Sequence, residues 1–261
     1  MAGDLVVESV GMKSDEAWKR AFRFCGALIV AGLAFALGHL AAAHEQQAVV
    51  GSFTVIRRPG GLLIAAPHGD ADPHTGKMAR TLCERTQWSC LVARGFITEG
   101  PRVNVNRPTE GVRIHEAAFS SRAAQVYDAY LTEVHRLAPR LRLYVELHGN
   151  ANEETHHRIE IATAGVSETW ARRIRQHLNQ ALTNAGVGQY SAQIDVLGPV
   201  RYAATHNREF GALSMIQPAL HIELPEGARE EHRQQIVDAL ARTLPSIAAS
   251  AEVPSQFAKA M

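Results

Sequence analysis

Two histidines of this sequence each follow an apolar run and stand directly before a glycine. His68 comes after residues 62–66 and Pro67, and His148 comes after residues 141–147. Short apolar runs of this kind predict buried strands, and the carboxyl ends of strands in open α/β sheets are where sites form. Two histidines and one acid are the minimum set for a catalytic zinc with one position left for water. These residues predict a metallohydrolase.

The acid that would complete this set lies a few residues after His68, where the sequence offers both Asp70 and Asp72. In a fully extended chain Asp70 would share the side of His68. If the chain turns after the strand, Asp72 can reach the same ion. We prefer Asp72 and keep Asp70 as the alternative. Asp, Gly and Pro are also typical of an ordinary surface turn, which would explain these residue types one by one but not the second histidine at a strand end.

A zinc hydrolase also needs a base that takes a proton from water and returns it to the leaving group. Glu223 lies inside the late apolar run 219–225, where burying a carboxylate is costly unless the group is paired or functional. Glu160 has a similar setting. Glu146 shares the face of His148, two residues later, so it is either an acceptor for that imidazole or a base itself. We predict Glu223 as the base and keep the other two as alternatives.

The segment Asn104–Pro108 adds a polar cluster with one arginine, Arg107. A guanidinium presents a planar fork that suits a substrate carboxylate, and Asn104 and Asn106 can orient polar groups beside it. Taken alone, Arg107 would be read as a solvent-facing residue before a turn. His206 and His221 are treated as bystanders that can line the site.

The elements that would position these residues alternate between strands and helices along the chain. This alternation, without repeats, predicts one α/β domain with a mostly parallel or mixed sheet. Pro245 is expected to end the last helix, leaving 246–261 as a poorly ordered tail. Ser167 is expected to cap the third helix. The helices are predicted at 74–87, 117–137, 167–184 and 229–244, and the strands at 52–58, 62–66, 89–96, 141–147, 158–162, 191–197 and within 213–224.

The amino-terminal part has the pattern of an exported protein. Basic residues precede the apolar run 24–37, and Ala41–Ala43 follows it, which is typical of a secretory signal peptide. We predict that residues 1–43 are a signal peptide cleaved near Ala43/His44 or, alternatively, a retained membrane anchor, with the hydrolase domain at 44–245. Translation from Met12 rather than Met1 would give a more typical signal. The predicted location is the periplasm or the exterior.

The formal net charge of the 261 residues is +1, which argues against a nucleic-acid-binding protein but leaves room for a local basic patch. Cys83 and Cys90 remain after removal of the signal, and both a disulfide and two buried thiols fit them. The sequence has no Gly-x-Ser-x-Gly elbow and no phosphate-binding glycine loop, which argues against serine hydrolases and nucleotide enzymes.

Taken together, the Pro-His-Gly and Leu-His-Gly strand ends, the Asn-Arg pair and the late glutamate resemble the zinc carboxypeptidase-like superfamily. Within it the chain is most similar to the N-formylglutamate amidohydrolase and poly-γ-glutamate hydrolase groups, over about residues 62–225. The resemblance implies a three-layer α/β/α sandwich and hydrolysis of an amide bond. It also implies one Zn²⁺ per chain held by His68, Asp72 and His148, with Arg107 on a substrate carboxylate and Glu223 as general base. Many carboxypeptidases of the superfamily have a glutamate three residues after the first histidine, where this chain has Ala71.

The expected activity is therefore that of an exported zinc-dependent amidohydrolase, acting on an N-acyl amino acid or a γ-glutamyl or peptide substrate. A carboxypeptidase or peptidoglycan peptidase of the same fold is one alternative. A non-catalytic envelope protein that binds a metal or ligand is another. In each case the expected partner is a small molecule or peptide, with no nucleic acid and with membrane contact only through the amino-terminal segment.

Overall fold

The computed structural model describes residues 7–11, 51–97, 102–111 and 117–250. The apolar run 24–37 and the cleavage point of the predicted signal peptide or anchor lie outside the described residues, as does most of the predicted tail. Within the described part of the chain, no helix has the length and hydropathy needed to span a membrane.

The strands and helices follow one another in the order that the periodicity predicts, with small differences in their bounds. The strands are β1 Val7–Gly11, β2 Ser52–Ile56, β3 Leu62–Ala66, β4 Ser89–Arg94, β5 Thr109–Glu110, β6 Ala118–Phe119, β7 Leu143–Asn150, β8 Arg158–Ala164, β9 Ser191–Ile194 and β10 Ala219–Pro225. The helices are α1 Thr75–Thr86, α2 Ser121–Leu137, α3 Glu168–Asn184, α4 Thr205–Phe210, α5 Ala212–Met215, α6 Glu226–Arg229 and α7 Arg233–Ala249.

Eight of these strands form one mixed sheet in the order β1-β2-β4-β3-β7-β10-β8-β9. Its four central strands, β4, β3, β7 and β10, are parallel to one another. The strands β2 and β8 run antiparallel to this central group, and β9 is parallel to β8. The carboxyl ends of β3, β7 and β10 therefore meet at one edge of the sheet, which is where open α/β sheets form sites.

Helices cover both faces of the sheet, which confirms the predicted α/β/α layers. One core contains apolar side chains of α1, α3 and α7, and the other contains those of α2 and α5. Along β7, Leu143, Val145 and Leu147 face the first core, while Tyr144 faces the second. Because strand side chains alternate, Glu146 and His148 lie on the same face as Tyr144. Two polar residues thus interrupt the otherwise apolar face under α2.

The last helix does not end at Pro245, so the prediction that the tail begins at residue 246 is wrong. Helix α7 continues to Ala249 with Pro245 inside it, and Ile247 and Ala248 are buried in the core. Proline removes one helical hydrogen bond, but the turn that follows is held by tertiary contacts. The indole Nε1 of Trp170 donates to the carbonyl of Ile247 at 3.2 Å. The region 213–224 also differs, since it begins in helix α5 and becomes a strand only at Ala219.

Strand β1 belongs to the segment 1–43 that the sequence analysis assigns to a signal peptide or anchor. It pairs antiparallel with β2, from Val7 opposite Ile56 to Gly11 opposite Ser52. Cleavage near Ala43/His44 would remove β1 and leave β2 at the edge of the sheet. Cys83 of α1 and Cys90 of β4, the strand that pairs with β2, form a disulfide, with their Cα atoms 5.7 Å apart.

Candidate metal centre

The carboxyl edge of the central strands brings together the polar residues that the sequence analysis singled out. His68 follows β3, His148 lies near the end of β7, and Glu223 lies directly opposite His148 in the neighbouring strand β10. Two residues earlier in the same register, His221 lies opposite Glu146. Since strand side chains alternate, these four β7 and β10 residues share one face.

The side chains of His68, Asp72 and His148 converge on a common point. Asp72 Oδ2 lies 3.4 Å from Nδ1 of His68 and 3.6 Å from Nδ1 of His148. One ligand atom from each of the three residues lies within 4.8 Å of the other two. The backbone N–H of Gly149 donates to the same Asp72 oxygen at 3.1 Å and fixes the carboxylate. Two imidazoles and a carboxylate are ligands that Zn²⁺ prefers.

Both imidazoles point their second ring nitrogen at an oxygen acceptor. His68 Nε2 lies 3.1 Å from Asn104 Oδ1, within hydrogen-bond distance, whereas His148 Nε2 lies 3.5 Å from Glu146 Oε1 and makes no hydrogen bond within the described part of the chain. A metal-bound histidine typically donates its other N–H to a carboxylate or carbonyl oxygen, which fixes the ring and leaves the first nitrogen free for the ion. The two Nδ1 atoms that face Asp72 are thus the ones that would bind a metal, and the site fits one.

Glu146 is completely buried and its carboxylate is surrounded by donors. Its Oε1 accepts from Asn207 Nδ2 at 2.6 Å and lies 2.5 Å from His221 Nδ1, and its Oε2 accepts from Tyr144 Oη at 2.9 Å. The amide of Asn106 adds a longer contact of 3.4 Å to Oε2. With its oxygens so engaged and no access to the solvent, Glu146 orients His148 and His221. The geometry favours this over the alternative role of a base.

The carboxylates beside His148 stabilise a positive charge at this edge of the sheet. Burial lowers the pKa of His148, but Asp72 and Glu146 on its two sides outweigh burial and raise this pKa to about 10. Conversely, burial raises the pKa of Asp72 and of Glu146, but the neighbouring imidazoles hold the pKa of both carboxyls well below the usual range. Both carboxyls are therefore ionised at neutral pH, beside the predicted metal ligands.

In Glu223, one carboxylate oxygen is held by a hydrogen bond and the other has no donor among the described residues. Its Oε1 lies 3.1 Å from Nε2 of His221, while its Oε2 has no hydrogen-bond partner among the described residues. Glu223 also lines a pocket of about 360 Å³ at the strand ends, and 8% of its surface is exposed. A carboxylate oxygen without a hydrogen-bond donor at the edge of a pocket is what a general base requires.

The other proposed base, Glu160, also has one buried oxygen without a hydrogen-bond partner among the described residues, but it does not line the pocket. It is completely buried, and its Oε2 accepts from the backbone N–H groups of Arg201 and Tyr202, both at 2.9 Å. Arg201 and Tyr202 line the pocket, whereas Glu160 does not. The structure therefore places Glu160 as an anchor for one wall of the pocket.

The pocket has the size of a small-molecule site and is rich in polar groups. Arg107 lines it, and its Nε donates to Thr109 Oγ1 at 3.1 Å. Burial lowers the pKa of Arg107 from its ordinary value. The lining residues are His68, Asp72, Asn104, Asn106, Arg107, His148, Gly149, Arg201, Tyr202, Ala203, Ala204, Thr205, His206, Asn207, His221 and Glu223.

The structure separates Asp70 from the other predicted residues. Asp70 Oδ2 accepts from the backbone N–H of Gly95 at 2.6 Å, so this carboxylate is bonded to the loop after β4. It is Asp72 that lies beside both histidines. Sequence reasoning missed the role of His221, which bridges Glu146 and Glu223, and of Asn207, which donates to Glu146. The alternation of His221 with Glu223 in one strand was a signal for the first; nothing in the sequence indicated the second.

The glycine after each histidine is required by close packing. A Cβ on Gly69 would lie 2.9 Å from the carbonyl oxygen of Ala93, and a Cβ on Gly149 would lie 2.6 Å from Nε of Arg229. Real Cβ atoms do not approach other atoms this closely. The two His-Gly motifs thus let neighbouring segments pack directly behind the histidines.

No family model matches the sequence, and no curated protein matches it. Several solved structures do share its fold in part. A bacteriophage poly-γ-glutamate hydrolase is 13% identical, with a TM-score of 0.45 over 79% of this chain and 91% of its own. A metallo-carboxypeptidase from Burkholderia cenocepacia is 12% identical, with a TM-score of 0.48 over 76% of this chain and 61% of its own.

A metallo-carboxypeptidase from Pseudomonas aeruginosa, in complex with (2-guanidinoethylmercapto)succinic acid, is 17% identical, with a TM-score of 0.45 over 75% of this chain and 61% of its own. The chain thus spans about three fifths of the length of both carboxypeptidases. At such low identities and TM-scores, the function has to be inferred from the residues of the site.

Proposed function

We propose that the protein is a zinc-dependent amidohydrolase that cleaves an amide bond of an N-acyl amino acid or of a γ-glutamyl or peptide substrate. The observation that carries this proposal is the convergence of two imidazole Nδ1 atoms on Asp72, beside a pocket that also contains Glu223 and Arg107. Ligands, base and a carboxylate-binding group thus lie around one space of about 360 Å³.

The metal would be held by His68, Asp72 and His148, with one zinc for each chain. Three protein ligands are the number found in catalytic zinc sites, which keep a fourth position open. When bound there, zinc acts as a Lewis acid that activates water and polarises an amide carbonyl. Asn104 and Glu146 hold the two imidazoles so that their Nδ1 atoms stay directed at the ion.

Glu223 moves the proton in this proposal. Its free oxygen Oε2 takes a proton from the attacking water and returns it to the nitrogen of the leaving amine, while His221 holds Oε1. Arg107 binds a substrate carboxylate through its planar guanidinium and so places the amide bond next to Glu223. Arg201 also lines the pocket, but its guanidinium is paired with Glu154.

We further propose that the protein acts outside the cytoplasm. The signal-like pattern of the amino-terminal segment supports this, and so does the Cys83–Cys90 disulfide, since disulfides persist mainly in oxidising compartments. Fractionation of cells that express the full chain, with a cytoplasmic marker enzyme as control, tests the location.

Metal analysis of the purified protein is the first test of the proposed activity. We expect one zinc per chain in the wild type, its loss in His68→Ala and His148→Ala, and its retention in His177→Ala, which changes an exposed histidine of α3. Wild type and Glu223→Gln are then compared on N-acyl glutamates and γ-glutamyl peptides. Glu223→Gln is expected to keep the metal and lose at least about 100-fold in rate. Zinc binding without hydrolysis by the wild type would contradict the enzyme and favour a metal-binding protein.

A further inference from the structure

A second pocket lies at the opposite edge of the sheet, where the central strands begin. The turn between β2 and β3 and the turn between α2 and β7 meet there and border an open pocket of about 1010 Å³. Each turn contributes two arginines, and no acidic residue lines the space. The lining residues are Arg57, Arg58, Pro59, Gly60, Gly61, Leu137, Pro139, Arg140 and Arg142.

The two turns are fixed to each other by their backbones. The carbonyl of Gly61 accepts from the N–H of Arg142 at 2.7 Å. Gly61 has a φ of 68°, and a Cβ at this position would lie 1.9 Å from the carbonyl oxygen of Arg140. The backbone of Arg58 is held on both sides by the hydroxyl of Ser89, at 3.0 Å each. These backbone contacts keep the two arginine-containing turns next to each other.

Among the described residues, these arginines have no carboxylate partner. None of the four forms an ion pair with a described residue, whereas Arg85, Arg172 and Arg201 on other surfaces each pair with a carboxylate. The Nε atom of Arg58 is buried and has no hydrogen-bond partner within the described part of the chain. The carboxyl end of α2, which also lines the pocket, carries a partial charge of only about half an electron and does not balance four cations.

We propose that this pocket binds an anion that carries more than one phosphate group. Guanidinium groups bind phosphate oxygens through paired hydrogen bonds, and four of them around one space suit a ligand with several negative charges. The overall charge of +1 shows that this positive surface is local. Two or more phosphates occur in soluble oligophosphates and in the headgroups of lipids such as cardiolipin, and the two sources share the chemistry that the pocket recognises.

Calorimetric titration of the full-length protein with tripolyphosphate and with orthophosphate tests this proposal. We expect tripolyphosphate to bind more tightly, and the Arg58→Ala/Arg140→Ala double variant to bind it about tenfold more weakly or worse. The Arg80→Ala/Arg172→Ala variant removes the same charge from exposed positions of α1 and α3 and should bind like the wild type. Arg58→Lys/Arg140→Lys, which keeps the charge without the planar fork, should lie between them.

Co-sedimentation with phosphatidylcholine vesicles, with and without cardiolipin, whose headgroup carries two phosphates, separates the two sources. Binding only to the cardiolipin vesicles that is lost in Arg58→Ala/Arg140→Ala supports a lipid headgroup, and binding of tripolyphosphate alone supports a soluble ligand. The proposal is overturned if the wild type binds neither, or if the exposed and the pocket variants weaken binding equally. Thermal unfolding of each variant controls for loss of the fold, and Glu223→Gln should bind tripolyphosphate like the wild type.

Discussion

The arginine that ends helix α6 connects three segments of the candidate metal centre, and its removal should disturb all of them. Arg229 is only 3% exposed. Its guanidinium donates to the backbone carbonyls of Leu224 at 3.1 Å, Pro73 at 2.8 Å and Asn150 at 3.0 Å. These carbonyls directly follow the segments that contain Glu223, Asp72 and His148. We predict that Arg229→Met lowers both the stability and the metal affinity.

The size of the effect follows from these three hydrogen bonds. A bond from a charged donor contributes about 1.5–3 kcal/mol, and a buried carbonyl left without a donor costs about 1–3 kcal/mol. Such contributions are not additive, and methionine recovers part of the packing. We therefore expect a loss of about 4 kcal/mol in the free energy of unfolding, which is a large part of the ~5–15 kcal/mol typical of a folded domain. Metal affinity should fall at least about tenfold, because the ligands lose their support.

Urea unfolding of metal-free protein and zinc titration with a competing chelator measure the two effects separately. Arg242→Met, which changes an exposed arginine of α7, is the matched control and should change stability by less than about 0.5 kcal/mol. Arg229→Lys keeps the charge but cannot reach three carbonyls, so its loss should be intermediate. A loss below about 1 kcal/mol in Arg229→Met would show that the three carbonyls do not depend on Arg229.

Two further substitutions test the pocket wall and the packing behind the first histidine. Glu160→Ala removes the acceptor of two backbone N–H groups and should lower the free energy of unfolding in urea by about 2–4 kcal/mol. The control Glu154→Ala breaks only an exposed pair with Arg201 and should cost less than about 1 kcal/mol. Equal losses in the two variants would contradict the anchoring role of Glu160. Gly69→Ala should lower the free energy of unfolding by more than about 2 kcal/mol and reduce bound zinc, because the new Cβ would collide with the carbonyl of Ala93. An unchanged melting temperature would refute that contact.

Local patterns in the sequence were sufficient to place most elements of the fold. The apolar run 62–66 coincides with β3, and the helical spacing of 74–87 differs from α1 by one residue at each end. Ser167 caps α3 as predicted, by accepting from the N–H of Trp170. The end of α7 was predicted wrongly, because the contact that stabilises the turn after Pro245 comes from a distant helix. The order of the strands is set by pairing between distant segments, which no local pattern contains.

The candidate site also combines features that a local pattern predicts with features that depend on distant segments. His68, Asp72 and His148 were identified because each follows or ends a strand, which is a local property. The pairing of Glu146 with His221 depends on the register between β7 and β10, since a shift by one residue would send one of them to the other face. Register is a property of two strands together, and the sequence of either strand alone does not contain it.

The choice between Asp70 and Asp72 shows how local backbone conformation decides which carboxylate reaches the histidines. If the chain had stayed extended after His68, the residue two positions on would share its side. Instead the N–H of Asp72 donates to the carbonyl of His68 at 2.8 Å, which is a helical turn of four residues. Residues four apart on such a turn lie next to each other, while Asp70 points away and bonds to Gly95. Asp70 therefore cannot replace Asp72, and a His-x-x-x-Asp spacing predicts a shared ion only where the chain coils directly after the strand.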